Sequence, residues 1–334
     1  MSAEPTKQFL AVDIGGTKTE VAAFLSNDDT FTPVVKKRYS SRHVTGIEEI
    51  ITDFIHCNKI RCETISLGIA GVVSETDAQV TNLPWRISKE GLAKLGFSTV
   101  SMINDMTALA ASLALLGEDD LFCLQRGGGS PGPLSAVLAP GTGLGEGFLL
   151  HSEEHYYPRG TEGGHGDFAP VDEEQRALLE WLTTSSAEES VSYEMVCAGP
   201  AISTLYEFFL AQGMTENAEI QRRLAGREDR TPVIVEGALT SSCPVCSKSL
   251  NLFLKILGRE GANLVMKLYA TGGLFLGGGI LPRLVGSISL VPFLKAFHFP
   301  GPMASLLAAT PIHIILRRDA ALLGTACHGR RVFF

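Results

Sequence analysis

Glycine placement constrains this chain more than any other feature. There are 35 glycines in 334 residues, about a tenth of the chain against a usual ~7%. They cluster at 15–16, 127–129, 141–147, 160–166 and 272–279, between apolar runs. Glycine gathered at such joints marks tight turns where backbone approaches a ligand or another backbone. It does not mark a flexible linker. Phe9–Leu25 reads strand, Gly15-Gly16 turn, strand, and Leu134–Leu150 repeats that pattern around Gly141-Thr142-Gly143. The recurrence fits either an α/β fold of two related halves or two ordinary hairpins.

Further strands are expected at Ile65–Val73, Thr99–Ile103 and Ile312–Leu316. Helices are expected at Thr107–Leu116, Glu173–Thr183, Ala201–Gln212, Ser247–Tyr269 and Ala320–Cys327. Gly127–Pro133 reads as a loop. Hydrophobic residues make up 45% of the chain, which excludes a largely disordered protein. A net charge of −8 argues against coating nucleic acid or an anionic membrane. No apolar stretch approaches the ~18 residues of a membrane span. Met1–Gln8 lacks the pattern of a secretory leader. Seven cysteines without framework spacing suit a reducing cytosol.

Several nucleotide and hydrolase signatures are absent: no P-loop, no protein-kinase set, no dinucleotide fingerprint, no G-x-S-x-G. What remains lies at strand ends. Asp13-Ile14-Gly15-Gly16-Thr17 closes a buried strand. It is either an ordinary hairpin with a solvated acid or an anion site whose Asp13 holds hydrated Mg²⁺. Gly141-Thr142-Gly143 carries the same backbone logic. Asn104-Asp105 joins a strand to a helix and is either a helix cap or a carboxylate kept ionised as a proton acceptor. Glu162-Gly163-Gly164-His165-Gly166-Asp167 puts two acids and a histidine in a glycine-rich loop. Glu194, in VSYEMVCAGP, is either a binding group or a solvated helix residue. Cys243-Pro244-Val245-Cys246 lacks the second pair a zinc ribbon needs and reads as a buried turn before the helix at Ser247.

Together the segments DIGGTKTEVAAF, GIAGVV, TNLPW, INDMTALAASL, PGTGLGEGF, EGGHGDFAP, SYEMVCAGP, GGLFLGGGILPR and DAALLG resemble, in order, the bacterial-type glucokinase family of the hexokinase/actin-like ATPase superfamily. The resemblance implies an α/β, two-domain actin-like ATPase (ribonuclease H-like) fold, with small and large domains around a cleft that closes on sugar. The small domain would take 1–110 plus 318–334, the large one 111–317. It implies ATP-dependent phosphorylation of the 6-hydroxyl of D-glucose, with Mg²⁺ and as a cytoplasmic homodimer. Asp105 matches the general base. Asn104, Asp105, Glu162, His165 and Glu194 match the sugar ligands. Asp13 to Thr17 and Gly141-Thr142-Gly143 match the two phosphate-binding turns, and Gly277, Gly278 and Gly279 match the stretch near the adenosine. The segment after His165 contains no cysteine, unlike the zinc motif of the related ROK kinases, so no zinc is expected. No helix-turn-helix precedes Asp13, which speaks against a DNA-binding repressor. Where the family commonly reads S-G-P-G, this chain has Ala198-Gly199-Pro200-Ala201. Another hexose or N-acylhexosamine kinase, or a non-catalytic sugar sensor, are the alternatives.

Overall fold

The computed structural model describes residues 7–28, 30–129, 131–152, 155–185 and 190–334. Most of the segment read for a leader, 1–6, lies outside them, as does residue 130 of the glycine loop. In chain order the strands are β1 (Gln8–Ile14), β2 (Lys18–Leu25), β3 (Val35–Ser40), β4 (Thr64–Ile69), β5 (Gly71–Val73), β6 (Asp77–Val80), β7 (Arg86–Ser88), β8 (Thr99–Asn104), β9 (Leu121–Gln125), β10 (Leu134–Pro140), β11 (Leu144–His151), β12 (Tyr156–Thr161), β13 (Gly273–Leu276) and β14 (Ile312–Ile315). The helices are α1 (Ile47–Asn58), α2 (Lys89–Lys94), α3 (Asp105–Ser112), α4 (Glu173–Ser185), α5 (Tyr193–Cys197), α6 (Ala201–Ala211), α7 (Ala218–Leu224), α8 (Thr231–Leu239), α9 (Pro244–Leu268), α10 (Leu281–Leu284), α11 (Val291–Phe297), α12 (Ala304–Ala309) and α13 (Ala320–Phe333).

The chain forms two compact units. Unit 1 comprises Met1–Asp120, Gly147–Gly160 and Arg317–Phe334, and unit 2 comprises Leu121–Glu146 and Thr161–Leu316. Compared with the division expected from the sequence, unit 1 also takes in 111–120, 147–160 and 317, so two boundaries fall inside β11 and β12.

Unit 1 is built on a sheet ordered β3-β2-β1-β4-β8. The antiparallel β1–β2 hairpin forms as its turn chemistry predicts, and β4 and β8 add in parallel. Side chains alternate across a strand, so β1 offers Phe9 and Ala11 to one face and Leu10, Val12 and Ile14 to the other. The first set packs with Leu322, Leu323 and Ala326 of α13. The second packs with Ile47, Ile50, Ile51 and Phe54 of α1. Both faces are covered, which is why FLAVDI is almost continuously apolar.

Unit 2 holds β9, β10, β13 and β14 of the six-stranded sheet ordered β12-β11-β10-β13-β14-β9, with β10, β13 and β14 in parallel. The first five strands of that sheet repeat the order of the β3-β2-β1-β4-β8 sheet, matching the repeated strand–turn–strand pattern. The 25-residue α9 runs through the core of unit 2, where Leu250, Phe253, Leu254, Leu257, Leu264 and Val265 are all buried.

Four expectations need correction. Ile65–Val73 is not one strand: β4 ends at Ile69, and β5 leaves to pair with β6 in a separate three-stranded sheet. The helix expected at Thr107–Leu116 begins at Asp105 and stops at Ser112, because the next amides bond three residues back and tighten the chain into turns. Cys243–Cys246 is not a turn before α9 but its first turn. Cys243 caps it, its sulfur accepting the Cys246 N–H at 3.3 Å. The last helix runs on past Cys327 to Phe333, because Phe333 and Phe334 pack against Phe9.

Candidate active site

In unit 1 the expected residues gather at one sheet edge. β1, β4 and β8 run parallel, with Asp13 beside Gly68 and Ile69 beside Asn104. Asp13 and the Asn104-Asp105 pair therefore stand at the C-terminal ends of strands two apart, the edge where open α/β sheets bind ligands. Asn104 is the N-cap of α3: its Oδ1 accepts the Met106 N–H at 2.8 Å, and its Nδ2 donates to the Gly71 carbonyl at 3.3 Å. Asp105 Oδ1 also accepts the Met106 N–H, at 2.9 Å. The capping reading holds for Asn104, so Asp105 is not needed as the cap. Burial pushes the Asp13 carboxyl up to about 7, Lys18 pulls it down, and Asp105 and Glu20 push it further up.

The Asp13–Thr17 turn is closed by its own first glycine, since the Gly15 N–H donates to the Lys18 carbonyl at 2.9 Å. Ser41 braces it, donating its N–H to the Thr17 carbonyl and its hydroxyl to the Gly15 carbonyl. The Ile14 side chain is fully buried, so only its peptide group faces the turn.

Unit 2 gathers the remaining residues. The turn after β10 closes in the same way, with the Gly141 N–H donating to the Gly143 carbonyl at 2.8 Å. Beside it runs the stretch after β13. Gly277 donates its N–H to the Leu138 carbonyl at 2.9 Å. Gly278 has φ +82°, and a Cβ there would meet the Pro140 carbonyl oxygen at 2.2 Å, so only glycine fits. Gly199, from the segment that departs from S-G-P-G, donates its N–H to the Gly141 carbonyl at 2.8 Å, and Thr231 holds its carbonyl.

Glu194 lies in the first turn of α5, capped by Ser192, and its Oε2 accepts the Leu144 N–H at 2.9 Å. It is not a solvated helix residue. The Glu162–Gly166 loop is tied to α5 through Tyr193, whose N–H donates to the Gly166 carbonyl at 2.9 Å. Glu162 and His165 stand 3.9 Å apart with side chains 81% and 62% exposed, which leaves both open to a ligand.

Comparison with known proteins bears on the family and the fold. The Glucokinase family model matches residues 10–332. This chain belongs to the glucokinase family. A curated glucokinase from Nostoc sp. is 34% identical over 338 residues, covering 97% of this chain and 99% of that one. A solved glucokinase from an Antarctic psychrotroph superposes with TM-score 0.82 at 27% identity, covering 97% of this chain and 99% of that one. The glucokinase of Balamuthia mandrillaris, solved in complex with glucose, shares the fold with TM-score 0.78 at 22% identity over 99% and 95% of the two chains.

Sequence reasoning missed two acids. Glu146, inside the PGTGLGEGF segment, and Glu260 in α9 are almost wholly buried in unit 2. Burial and the neighbouring Glu260 push the Glu146 carboxyl up to about 7, against the pull of Lys267. The available signal was a charge inside an otherwise apolar strand and another inside an otherwise apolar helix face. Among the described residues no three His, Cys, Asp or Glu side chains converge as a ready-made metal cluster, and no helix is long and apolar enough to cross a membrane.

Proposed function

We propose that this chain phosphorylates D-glucose at its 6-hydroxyl with ATP, and that Asp105 is the general base. The observation that carries this reading is the placement of Asp105 and Asp13 at the C-terminal edge of one parallel sheet, with capping left to Asn104. The Asp105 carboxylate accepts the hydroxyl proton as the sugar oxygen bonds to the γ-phosphorus and ADP leaves with the electrons of the broken P–O bond. Asn104, Glu162, His165 and Glu194 hold the other sugar hydroxyls. A sugar lacking one of them would leave one of these groups without its hydrogen-bond partner.

The first amide of each Gly-Thr turn is spent on closing it. Gly16 and Thr17, and Thr142 and Gly143, are therefore the groups we assign to the phosphates, with Gly277 to Gly279 near the adenosine. Asp13 fits a hydrated Mg²⁺. Burial holds its carboxyl up against the pull of Lys18, and a bound cation would favour the ionised form. Mg²⁺ bound with the nucleotide neutralises phosphate charge. The family resemblance also supports a cytosolic homodimer.

The test is ADP production with glucose, mannose, fructose and N-acetylglucosamine side by side. Glucose should give the highest kcat/KM. A higher value with N-acetylglucosamine would reassign the substrate, and sugar binding without any turnover would make the chain a sensor.

A further inference from the structure

Two carboxyl groups lie in unit 2 that the proposed chemistry does not use. Glu146, on β11, is 2% exposed, and Glu260, on α9, is 0% exposed. Buried acids persist when they are neutral, paired or fully hydrogen-bonded. Here the pairing is incomplete. The Lys267 Nζ lies 3.5 Å from Glu260 Oε1, the sole ion pair of either acid among the described residues. Glu260 Oε2 accepts from Asn263 Nδ2 at 2.8 Å. The Oε1 atoms of both acids have no hydrogen-bond partner among the described residues. Two buried carboxyls facing one cation accommodate one proton between them. Burial and Glu260 accordingly push Glu146 up. The other titratable groups facing the pair are Tyr193 and Cys197 on α5. Both are driven upward, by burial first and then by the acids, so both stay neutral at pH 7.

The pair touches both elements that carry the expected sugar ligands of unit 2. Glu146 Oε2 stands 2.0 Å from where a Gly163 Cβ would be, so its carboxyl packs into the space that only a glycine leaves open after Glu162. Asn263 Nδ2, held by Glu260, also donates to the Tyr193 hydroxyl at 3.1 Å, on the residue before Glu194. Leu144, two residues before Glu146 on the same strand, donates its N–H to Glu194.

We propose that Glu146 and Glu260 are positioning residues for sugar recognition, holding the Glu162 loop and the Glu194 helix in register through a proton the two carboxyls share. The proposal rests on the reading of Glu162, His165 and Glu194 as sugar ligands. When that proton leaves, two like charges lie in the core, with the mostly exposed Lys267 ammonium paired to Glu260 alone. Glu146 is then driven against Gly163. Sugar affinity therefore falls as pH rises through neutrality, while nucleotide affinity does not.

The experiment measures KM for glucose and for ATP from about pH 6 to 9 on the full chain, as wild type, Glu146→Gln and Glu260→Gln. Glutamine keeps the size of the side chain and supplies an N–H where the shared proton sat. The wild-type glucose KM should rise about three- to tenfold across this range, with the ATP KM flat. Both variants should hold a flat glucose KM. A flat wild-type curve overturns the inference, as do variant curves that track the wild type. If one variant fails to fold, the other gives the same comparison, and the wild-type curve stands alone if both fail. Absence of glucose turnover by the wild type at every pH would instead sink the sugar-kinase reading.

Discussion

Glu194 reaches across unit 2 to take the backbone N–H of Leu144 on its Oε2 at 2.9 Å, fixing α5 to the start of β11. One carboxylate oxygen is thereby spent on the fold, and the other is left for a ligand. Glu194→Ala removes both. A hydrogen bond to a charged group is worth roughly 1.5–3 kcal/mol, so kcat/KM for glucose should fall about ten- to a hundredfold. Glu162→Gln and His165→Ala, exposed in the same unit, should weaken glucose use without the loss of thermal stability that Glu194→Ala shows. The ATP KM should stay near wild type in all three. Wild-type glucose kinetics in these variants would remove the sugar assignment.

Asp105→Asn separates chemistry from capping. Asn104 already caps α3, and asparagine caps as well as aspartate, so the variant should melt with the wild type. Its kcat should drop by about 10²–10⁴, the usual contribution of a general base. Glucose 6-phosphate formation measured beside thermal unfolding decides the point. An active, stable Asn variant would leave the reaction without its base.

Asp13 gives a pH signature in stability. Its folded-state carboxyl is raised from 3.8 to about 7, so the folded protein keeps a proton there that the unfolded chain has already lost. Stability is therefore lost as pH climbs through that window. Asp13→Asn should unfold with the wild type near the lower end and be the more stable protein above about pH 7. Magnesium with a nucleotide should raise the melting temperature of the wild type and have little effect on the variant. Unfolding curves at three pH values, with and without magnesium and nucleotide, test both statements.

Gly278→Ala probes the nucleotide side. The positive φ costs an L-residue of order 1 kcal/mol, and the new methyl would collide with the Pro140 carbonyl. The turn after β10 must shift, so the ATP KM should rise several-fold while equilibrium glucose binding is retained. Calorimetry with glucose beside ATP-dependent kinetics would show whether the loss falls on the nucleotide alone.

Cys243 and Cys246 yield the simplest experiment. Cys243 is already engaged as the cap of α9, and both side chains are buried. A chelator should leave the melting temperature unchanged, and elemental analysis should find no stoichiometric zinc.

The legible parts of the site were those whose chemistry is local. Asp13 to Thr17 and Asn104-Asp105 announce themselves because strand, turn and cap residues are neighbours in the chain. Ile65–Val73 misled because the break after Ile69 is made by a partner, Asp77–Val80, that draws Gly71–Val73 into another sheet. A strand-like run punctuated by Gly68 and Gly71 carries no mark of which sheet its end will join. Likewise α13 outlasts its apparent end because Phe333 and Phe334 find Phe9, more than three hundred residues away. Glu146 and Glu260 each show in the sequence as a charge inside an apolar segment, which does not say that the fold pairs them. Each is an ordinary glutamate until the fold buries the two side by side.

That buried pair also bears on how such a protein tolerates heat. A half-compensated charge pair in a packed interior is commonly improved on, for stability alone, by apolar side chains of similar volume. Selection for a higher melting temperature would thus reach Glu146 and Glu260 early, with the double change to methionine or leucine among the more profitable ones. The hardened protein would have lost its support under Gly163 and Tyr193. Screens for thermostable variants of this chain should therefore score affinity for sugar in parallel, since survival at high temperature would enrich for the clones that bind it worst.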